Sequence, residues 1–313
     1  MEYSWCPDDQ SVTVVIPTRD RPQLLRKAIA AVVAQDHVDD IEILVVFDQS
    51  NPDHSLPEEF SADDGSVQLA VTTNNRSLGL AGARNTGIVA ASNTWVAFCD
   101  DDDEWLPGKL RAQFAALRAA PEAGAACTGI LICYDSTETL RVPVPESLTF
   151  DGFLRDRMTE VHPSSWLVHK GTLIDEIGLV DEQIPGGYAE DYDFFLRTAQ
   201  VCSIAVASEP LVRVRWHGAS FFFERWETID RALAYLVEKY PEFESQPRGL
   251  ARIRGQQAVA QAAMRRRGEA LRTMAKTARL NPIEKRLPVA AAVLGGVPAE
   301  IVLKLAHRFG RGI

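Results

Sequence analysis

Five consecutive carboxylates, Asp100, Asp101, Asp102, Asp103 and Glu104, form the densest concentration of chemistry-bearing side chains in this 313-residue chain. They follow directly on Trp95-Val-Ala-Phe-Cys99, an apolar run too short for a helix and bounded by polar residues, which reads as a buried strand. At a separation of about 5 Å and an effective dielectric of about 20, each like-charge pair costs about 3 kcal/mol. Solvent, protonation or a cation must relieve that repulsion. One reading is a solvated acidic loop at the start of the helix that Pro107 opens, because carboxylates favour helix N-termini. The other is a divalent-cation site at the carboxyl end of a buried strand, where open α/β sheets place their ligands. Oxygen donors of this kind suit Mg²⁺ or Mn²⁺ that also hold substrate phosphates. A calcium EF-hand is excluded, since the alternating acidic spacing, the central glycine and the closing Glu are all missing.

The elements that must position this run alternate along the chain. Val12–Ile16 is a β-branched strand that Pro17 is expected to stop. A helix carrying Leu24, Leu25, Ala28, Ile29 and Val32 on one face follows. Ile41–Phe47 is a second buried strand ending at Asp48, residues 49–66 read as loop, and Val67–Thr72 is a third strand. Gly79-Leu-Ala-Gly-Ala-Arg84-Asn-Thr-Gly87 opens a helix ending near Ala91, and a further helix is expected from about Leu106 to Ala119, with Asp103 and Glu104 as its caps. Strands and helices alternating at this spacing are βαβ units, hence a parallel, doubly wound sheet. No G-x-G-x-x-G or G-x-x-x-x-G-K turn follows the first strand, which argues against a dinucleotide oxidoreductase or a P-loop nucleotidase. Binding would then rest on side chains and metal. Downstream, Ala123–Tyr134 and Pro163–His169 read as strands, and a helix begins near Glu190. Ile204–Trp216 reads as two short strands. Beyond about Phe221 the chain is helical, with breaks expected at Pro241, Gly268, Pro282, Pro288 and Pro298.

Composition narrows the class. The chain is 46% hydrophobic and 24% charged, an ordinary soluble balance with material for one large or two modest domains. Its five cysteines, Cys6, Cys99, Cys127, Cys133 and Cys202, form no close pair and no metal-type spacing, which points to free thiols in a reducing compartment. The acidic, polar first residues do not read as a signal peptide, and no apolar run reaches the length of a membrane span. The net charge of −10 hides an asymmetry: residues 248–313 carry 14 Lys+Arg against 3 Asp+Glu, or +11, so the remainder carries 19 against 40, or −21. That is no nucleic-acid profile for the whole protein, but the basic tail would meet something anionic.

Taken in order, several stretches resemble the inverting glycosyltransferases of family 2, which have the GT-A fold. They are Val12–Arg21 (V-T-V-V-I-P-T-R-D-R), Ile43–Ser50 (I-L-V-V-F-D-Q-S), Gly79–Gly87, the D-x-D region within Phe98–Pro107, and the acidic pair Glu190-Asp191. The likeness covers about residues 10–220. It implies a GT-A (Rossmann-like) α/β fold, a mostly parallel mixed sheet flanked by helices, with a helical C-terminal extension. The corresponding domains are 1–220 for nucleotide-sugar binding and catalysis and 221–313 for a basic helical region.

Residue by residue, the resemblance places Pro17, Thr18 and Arg19 against the donor nucleoside. It gives Asp48 the nucleobase N–H, although Phe47-Asp48-Gln49 departs from the family's usual double acid. Arg84 would reach the donor nucleotide and the acidic run. Asp102 would ligate Mg²⁺ or Mn²⁺ bridging to the diphosphate, with Asp100 at the ribose or a metal-bound water and Asp101 near the sugar. His217 would complete the metal site. Asp191 would be the general base that takes the proton from the attacking acceptor hydroxyl, with Glu190 and Asp193 as local competitors and a helix N-cap as the plainer role for all three. Trp166, Glu190 and His162 fall on the acceptor side by position, and Trp105 reads as core. The reaction implied is transfer of a sugar from a UDP- or dTDP-sugar to a hydroxyl of a glycan, glycolipid or small molecule. A catalytically silent module that binds a nucleotide sugar is the alternative, and retention of Arg84, Asp102 and Asp191 together favours the enzyme. A nucleotidyltransferase would want a Gly-rich basic loop where Pro17-Thr-Arg-Asp-Arg stands. The expected setting is cytoplasmic or peripheral at the inner membrane face, with no nucleic-acid partner. The tail has two uses open to it: docking on an anionic leaflet, or packing against the catalytic domain or a second subunit in a homo-oligomer.

Overall fold

The computed structural model describes residues 9–36, 39–62, 65–134, 137–215, 225–299 and 301. Its elements run β1 (Val12–Thr18), α1 (Pro22–Val33), β2 (Ile41–Phe47), α2 (Leu56–Phe60), β3 (Val67–Thr73), α3 (Leu80–Ala90), β4 (Trp95–Phe98), β5 (Glu104–Trp105) and α4 (Lys109–Ala119). Next come β6 (Ala123–Tyr134), β7 (Thr137–Arg141), α5 (Phe150–Arg155), β8 (Trp166–His169), α6 (Lys170–Thr172), α7 (Glu190–Val201) and β9 (Ser203–Arg215). The helices α8 (Trp226–Lys239), α9 (Pro247–Ala263), α10 (Arg267–Leu280) and α11 (Arg286–Leu294) follow. The chain divides into two compact units, the first made of Met1–Phe150, Met158–Glu182 and Asp191–Trp216, the second of Asp151–Arg157, Gln183–Glu190 and His217–Ile313.

The first unit is built on a mixed sheet of order β3-β2-β1-β4-β8-β6-β9-β5, with β7 paired to β6. The parallel expectation holds for β3, β2, β1 and β4, where Val12 lies opposite both Ile41 and Trp95. Beyond β4 the sheet changes sense, because β8 runs antiparallel to both β4 and β6. Every residue of β1 is buried, as a central strand covered on both faces requires. One face carries Val14, Ile16, Ile29, Ile43, Trp95 and Phe114 in a single cluster, with Trp95 edge-on to Phe114 at 5.5 Å. Further aromatic contacts are made by α7, whose Phe195 stacks on Trp166 at 4.5 Å and whose Phe194 meets Phe98 edge-on.

Several local expectations are corrected. Pro17 does not stop β1, which continues to Thr18 with Pro17 opposite Val46. The Val15 carbonyl accepts from Cys99 N, so Val15 and Pro17 face β4; β4 ends at Phe98, and the missing N–H of Pro17 forfeits no ladder bond. Residues 49–66 contain the short α2, anchored by the fully buried Leu56. Glu104 does not cap a helix: Glu104-Trp105 pairs with Arg213-Val212 of β9, and α4 begins only at Lys109, after Gly108 at φ 82°. Trp105 is core, as read, with Lys109 Nζ 3.6 Å above its ring. The stretch read as two strands is the single β9, whose register against β6 shifts around Pro210.

In the second unit, α9 is buried on most of its circumference and approaches α5 closely. A Cβ on Gly249 would lie 1.8 Å from the Leu154 carbonyl oxygen. Gly268 and Pro288 do not break helices but sit in the first turns of α10 and α11, where neither demands an interior hydrogen bond. Among the described residues no helix is long and apolar enough to cross a membrane.

Candidate active site

Parallel register brings the carboxyl ends of β1, β2 and β4 to one edge of the sheet, and with them Thr18, Asp48 and Asp100. This is the side on which strand-end loops of open α/β sheets meet ligands. The acidic run does not face solvent as one block; each carboxylate has its own surroundings. Arg84, a buried residue of α3, donates to Asp100 Oδ1 at 2.7 Å. Asp101 is buried and accepts from Thr18 Oγ1 at 2.7 Å and from Arg21 Nη1 at 3.1 Å. Burial, only partly opposed by Thr18 and Arg21, pushes its carboxyl up to about 6. Asp102 is more exposed and paired with Arg21 at 2.7 Å.

Asp103 is sealed in. Its side chain is 2% exposed, Ser164 Oγ donates to its Oδ2, and His162 Nδ1 lies 3.3 Å from the same oxygen. Ser164 Oγ also accepts from Asp100 N at 2.9 Å, and Ser164 N donates to His162 Nδ1 at 3.3 Å, so β8's leading turn is stitched to the acidic turn. Burial, reinforced by Asp100 and Asp102, holds the Asp103 carboxyl well above its ordinary range, and burial lowers His162 below its own. Both shifts favour the neutral forms. Among the described residues Asp100, Asp103 and His162 offer donor atoms within 4.8 Å of one another. Two carboxylates and an imidazole, with the carboxylate of Asp102 next in sequence, are a donor set that fits a divalent cation such as Mn²⁺.

The other expected site residues are distributed around this centre. Asp48 is buried and accepts from Gln49 Nε2 and Asn74 Nδ2, both at 2.8 Å, and from Gly79 N at 3.1 Å. It therefore also ties the end of β2 to the start of α3. Pro17 and Thr18 are strand residues, Thr18 serving Asp101, whereas Arg19 is half-exposed beside Asp20. Asp191 stands in the first turn of α7, half-buried, accepting from Tyr192 N at 2.8 Å. Together with Asp100 and Asp102 it favours the protonated form of His162, which places α7's start within electrostatic reach of the acidic turn. Glu190 and Asp193 are buried, and Asp193 pairs with Arg197 at 2.9 Å. Trp166 is corrected: its ring is fully buried against Phe195, so it packs the core and presents nothing to an acceptor. His217 lies outside the described residues.

Sequence reasoning missed two things. Asp103 and Ser164 join β4's end to β8's leading turn across 61 residues, a contact no local pattern announces. Glu182 accepts from Asn85 Nδ2, Arg76 Nε and Ser77 N and is held down to about 2, although its burial opposes that. The Asn85 that follows Arg84 in the motif was the available signal, since a buried amide on a helix needs partners.

Comparison with known proteins matches this architecture. The chain is 38% identical over 100 residues to a Campylobacter jejuni GalNAc(5)-diNAcBac-PP-undecaprenol beta-1,3-glucosyltransferase, covering 32% of each chain. It is 32% identical over 108 residues to the Escherichia coli UDP-Glc:alpha-D-GlcNAc-diphosphoundecaprenol beta-1,3-glucosyltransferase WfgD, covering 34% of this chain and 41% of that one. These alignments therefore span about a third to two fifths of the relatives' length. Staphylococcus aureus TarS 1–349 in complex with UDP-GlcNAc superposes with a TM-score of 0.63 at 15% identity, covering 96% of this chain and 92% of that one. The mannosyltransferase PcManGT of Pyrobaculum calidifontis, in complex with GDP-Man and Mn2+, gives 0.54 at 16% identity over 96% and 88%. The structural likeness shows the fold, a GT-A sheet flanked by helices with a helical C-terminal region. Residues 13–171, about half of the chain, match the family model described as glycosyl transferase family 2, and the chain belongs to that family.

Proposed function

We propose that this protein is a metal-dependent, inverting glycosyltransferase that moves a sugar from a nucleoside-diphosphate donor, a UDP- or dTDP-sugar, to an acceptor hydroxyl. The observation that carries the reading is the gathering of donor atoms of Asp100, Asp103 and His162 within 4.8 Å of one another at the carboxyl end of β4, with Asp191 at the start of α7 near enough to influence the same imidazole. A site for a charged leaving group and a candidate base thus share one neighbourhood. The reaction forms a bond between the acceptor oxygen and the donor's anomeric carbon while the bond from that carbon to the diphosphate oxygen breaks. The nucleoside diphosphate departs with the electron pair, and the hydroxyl proton passes to the carboxylate of Asp191 as general base. Asp48 and Thr18 border the nucleoside pocket with Arg19 beside them, and Arg84 orients Asp100 toward the donor. Asp100 and Asp102 would hold a divalent cation, with His162 as third donor, and when bound it neutralises charge on the leaving diphosphate. Asp101 and Asp103 shape the turn from beneath.

The acceptor follows the chemistry of two relatives: the Campylobacter jejuni and Escherichia coli enzymes are named for saccharides linked through diphosphate to undecaprenol, and a lipid-linked glycan is the acceptor class we assign. Residues 1–220 would then carry out the transfer at the cytoplasmic membrane face, and 221–313 would serve contact with that face. Thermal-shift measurements with UDP-, dTDP- and GDP-sugars, with and without Mn²⁺, test the reading. Stabilisation by a uridine or thymidine diphosphosugar that depends on the metal is expected; absence of any metal-dependent nucleotide effect overturns it.

A further inference from the structure

The helix α10 presents an outward face whose chemistry the transfer reaction does not use. Ala270 and Thr277 are its buried residues; Leu271, Arg272, Lys276 and Arg279 are exposed away from them, and Arg267 is exposed in the first turn. The i, i+4 and i+3 spacings 267–271, 272–276 and 276–279 align these on neighbouring rows. None of the four cations makes an ion pair among the described residues, and the single exposed acid of the helix, Glu269, lies 4.0 Å from Arg266. Leu271 is 59% exposed, and Ile283, in the turn that leaves α10, is 86% exposed. Leu271 stands among the cations of the helix, and Ile283 projects from the turn that follows it.

We propose that this face of α10, with Ile283, docks the protein on an anionic lipid leaflet. The inference deepens the function proposed above and rests on it only for its purpose, delivery to a lipid-carried acceptor. Two observations select a leaflet over an acidic protein partner. Isolated Leu and Ile side chains among Arg and Lys match shallow insertion at a headgroup boundary, whereas a protein partner would be met by a contiguous packed patch. The charge of the sequence favours the same partner: residues 248–313 carry +11, which an anionic surface attracts within a Debye length, whereas the remainder carries −21.

Co-sedimentation of the full chain with vesicles of phosphatidylglycerol and phosphatidylcholine, against vesicles of phosphatidylcholine alone, tests the proposal, with thermal melting and UDP-sugar binding recorded on the same preparations. At about 50 mM salt the partition coefficient should be about tenfold or more higher on the anionic vesicles, and the difference should shrink strongly at about 300 mM. Arg272→Gln/Lys276→Gln/Arg279→Gln should lower it by about tenfold or more with melting unchanged, while Arg272→Lys/Arg279→Lys keeps it. Leu271→Ser/Ile283→Ser should reduce what binding persists at the higher salt. Equal partition on both vesicle types, no partition on either, or wild-type partition of the triple Gln variant each overturns the proposal, as does binding to soluble polyglutamate in preference to anionic vesicles. Loss of vesicle binding with UDP-sugar binding intact counts against docking alone. Vesicle binding without any nucleotide binding counts against the transferase reading and leaves the docking result supported.

Discussion

Asp102 and Asp103 are adjacent, yet one is tied to a half-exposed Arg21 at 2.7 Å and the other is enclosed by Ser164 and His162. That contrast divides their roles. An exposed carboxylate paired with a guanidinium can exchange it for a metal ion, whereas a buried, hydrogen-bonded one mainly holds a turn in shape. Calorimetric titration with Mn²⁺ should show Asp102→Ala binding about tenfold or more weaker with little change in melting. Asp103→Asn should chiefly destabilise, by about 1–3 kcal/mol, because it disturbs a buried network. The reverse pattern would move the cation to the Asp100, Asp103 and His162 trio. Asp191 is tested by separating binding from turnover. Asp191→Asn removes a proton acceptor without changing size, so donor affinity should persist while transfer falls by about 10²–10⁴-fold, the range a positioned general base supplies. Equal turnover in wild type and variant would remove Asp191 from the chemistry.

At the scale of elements, α3 shows how the site is braced. Its residues Ala81 to Ile88 are all buried, which small side chains allow by letting the helix sit close to the sheet. A Cβ on Gly87 would lie 2.3 Å from Val15 Cγ1, so Gly87→Ala overpacks the contact between α3 and β1. It should cost about 1–3 kcal/mol and loosen the Arg84–Asp100 bond that the helix carries. Gly268→Ala, with nothing near its Cβ, should instead leave stability unchanged or raise it by up to about 1 kcal/mol. Comparison of the two melting midpoints checks this. The loop before α3 is pinned by Glu182, which accepts from Arg76, Ser77 and Asn85. Its folded carboxyl titrates near about 2 against an ordinary 4.5, so its stabilisation is complete above pH 4.5 and disappears as pH falls toward 2. Glu182→Gln should therefore melt below wild type at pH 7, with the gap shrinking below about pH 4 and nearly closed by about pH 2. A gap that stayed constant with pH would show that the carboxylate charge is irrelevant there.

Over the whole molecule, what sequence revealed and what it hid separate by range. The strands β1, β2, β3 and β4 were legible because each is a compact apolar run between turn residues, and the alternation with helices implied their parallel half of the sheet. The antiparallel return of β8, the two-residue β5 and the junction of Asp103 with Ser164 were not, since each depends on partners 60 or more residues away. The family resemblance implied roles for Asp102 and Asp191; it could not give their separate surroundings. The same long-range closure sets the behaviour of the thiols. Cys99 and Cys127 are fully buried on β4's end and β6, with burial pushing Cys127 up to about 12 and Cys99 well above its ordinary value. Cys202 is raised to about 11; Cys133 is raised too, by burial and by Glu138, but is partly exposed, so access is what sets it apart. Reactivity needs thiolate and access, and Cys99 and Cys127 have neither until β1, β4, β6 and β8 separate. Alkylation at pH 8 followed by mass spectrometry should find Cys133 modified early, with Cys99 and Cys127 modified together and only as fast as the sheet opens as a whole. A UDP-sugar with Mn²⁺, bound at the edge where β1 and β4 end, should slow that shared rate, because a ligand held only by the folded state makes complete opening rarer. Early modification of Cys99 alone would mean that the acidic turn opens independently of the sheet that carries it.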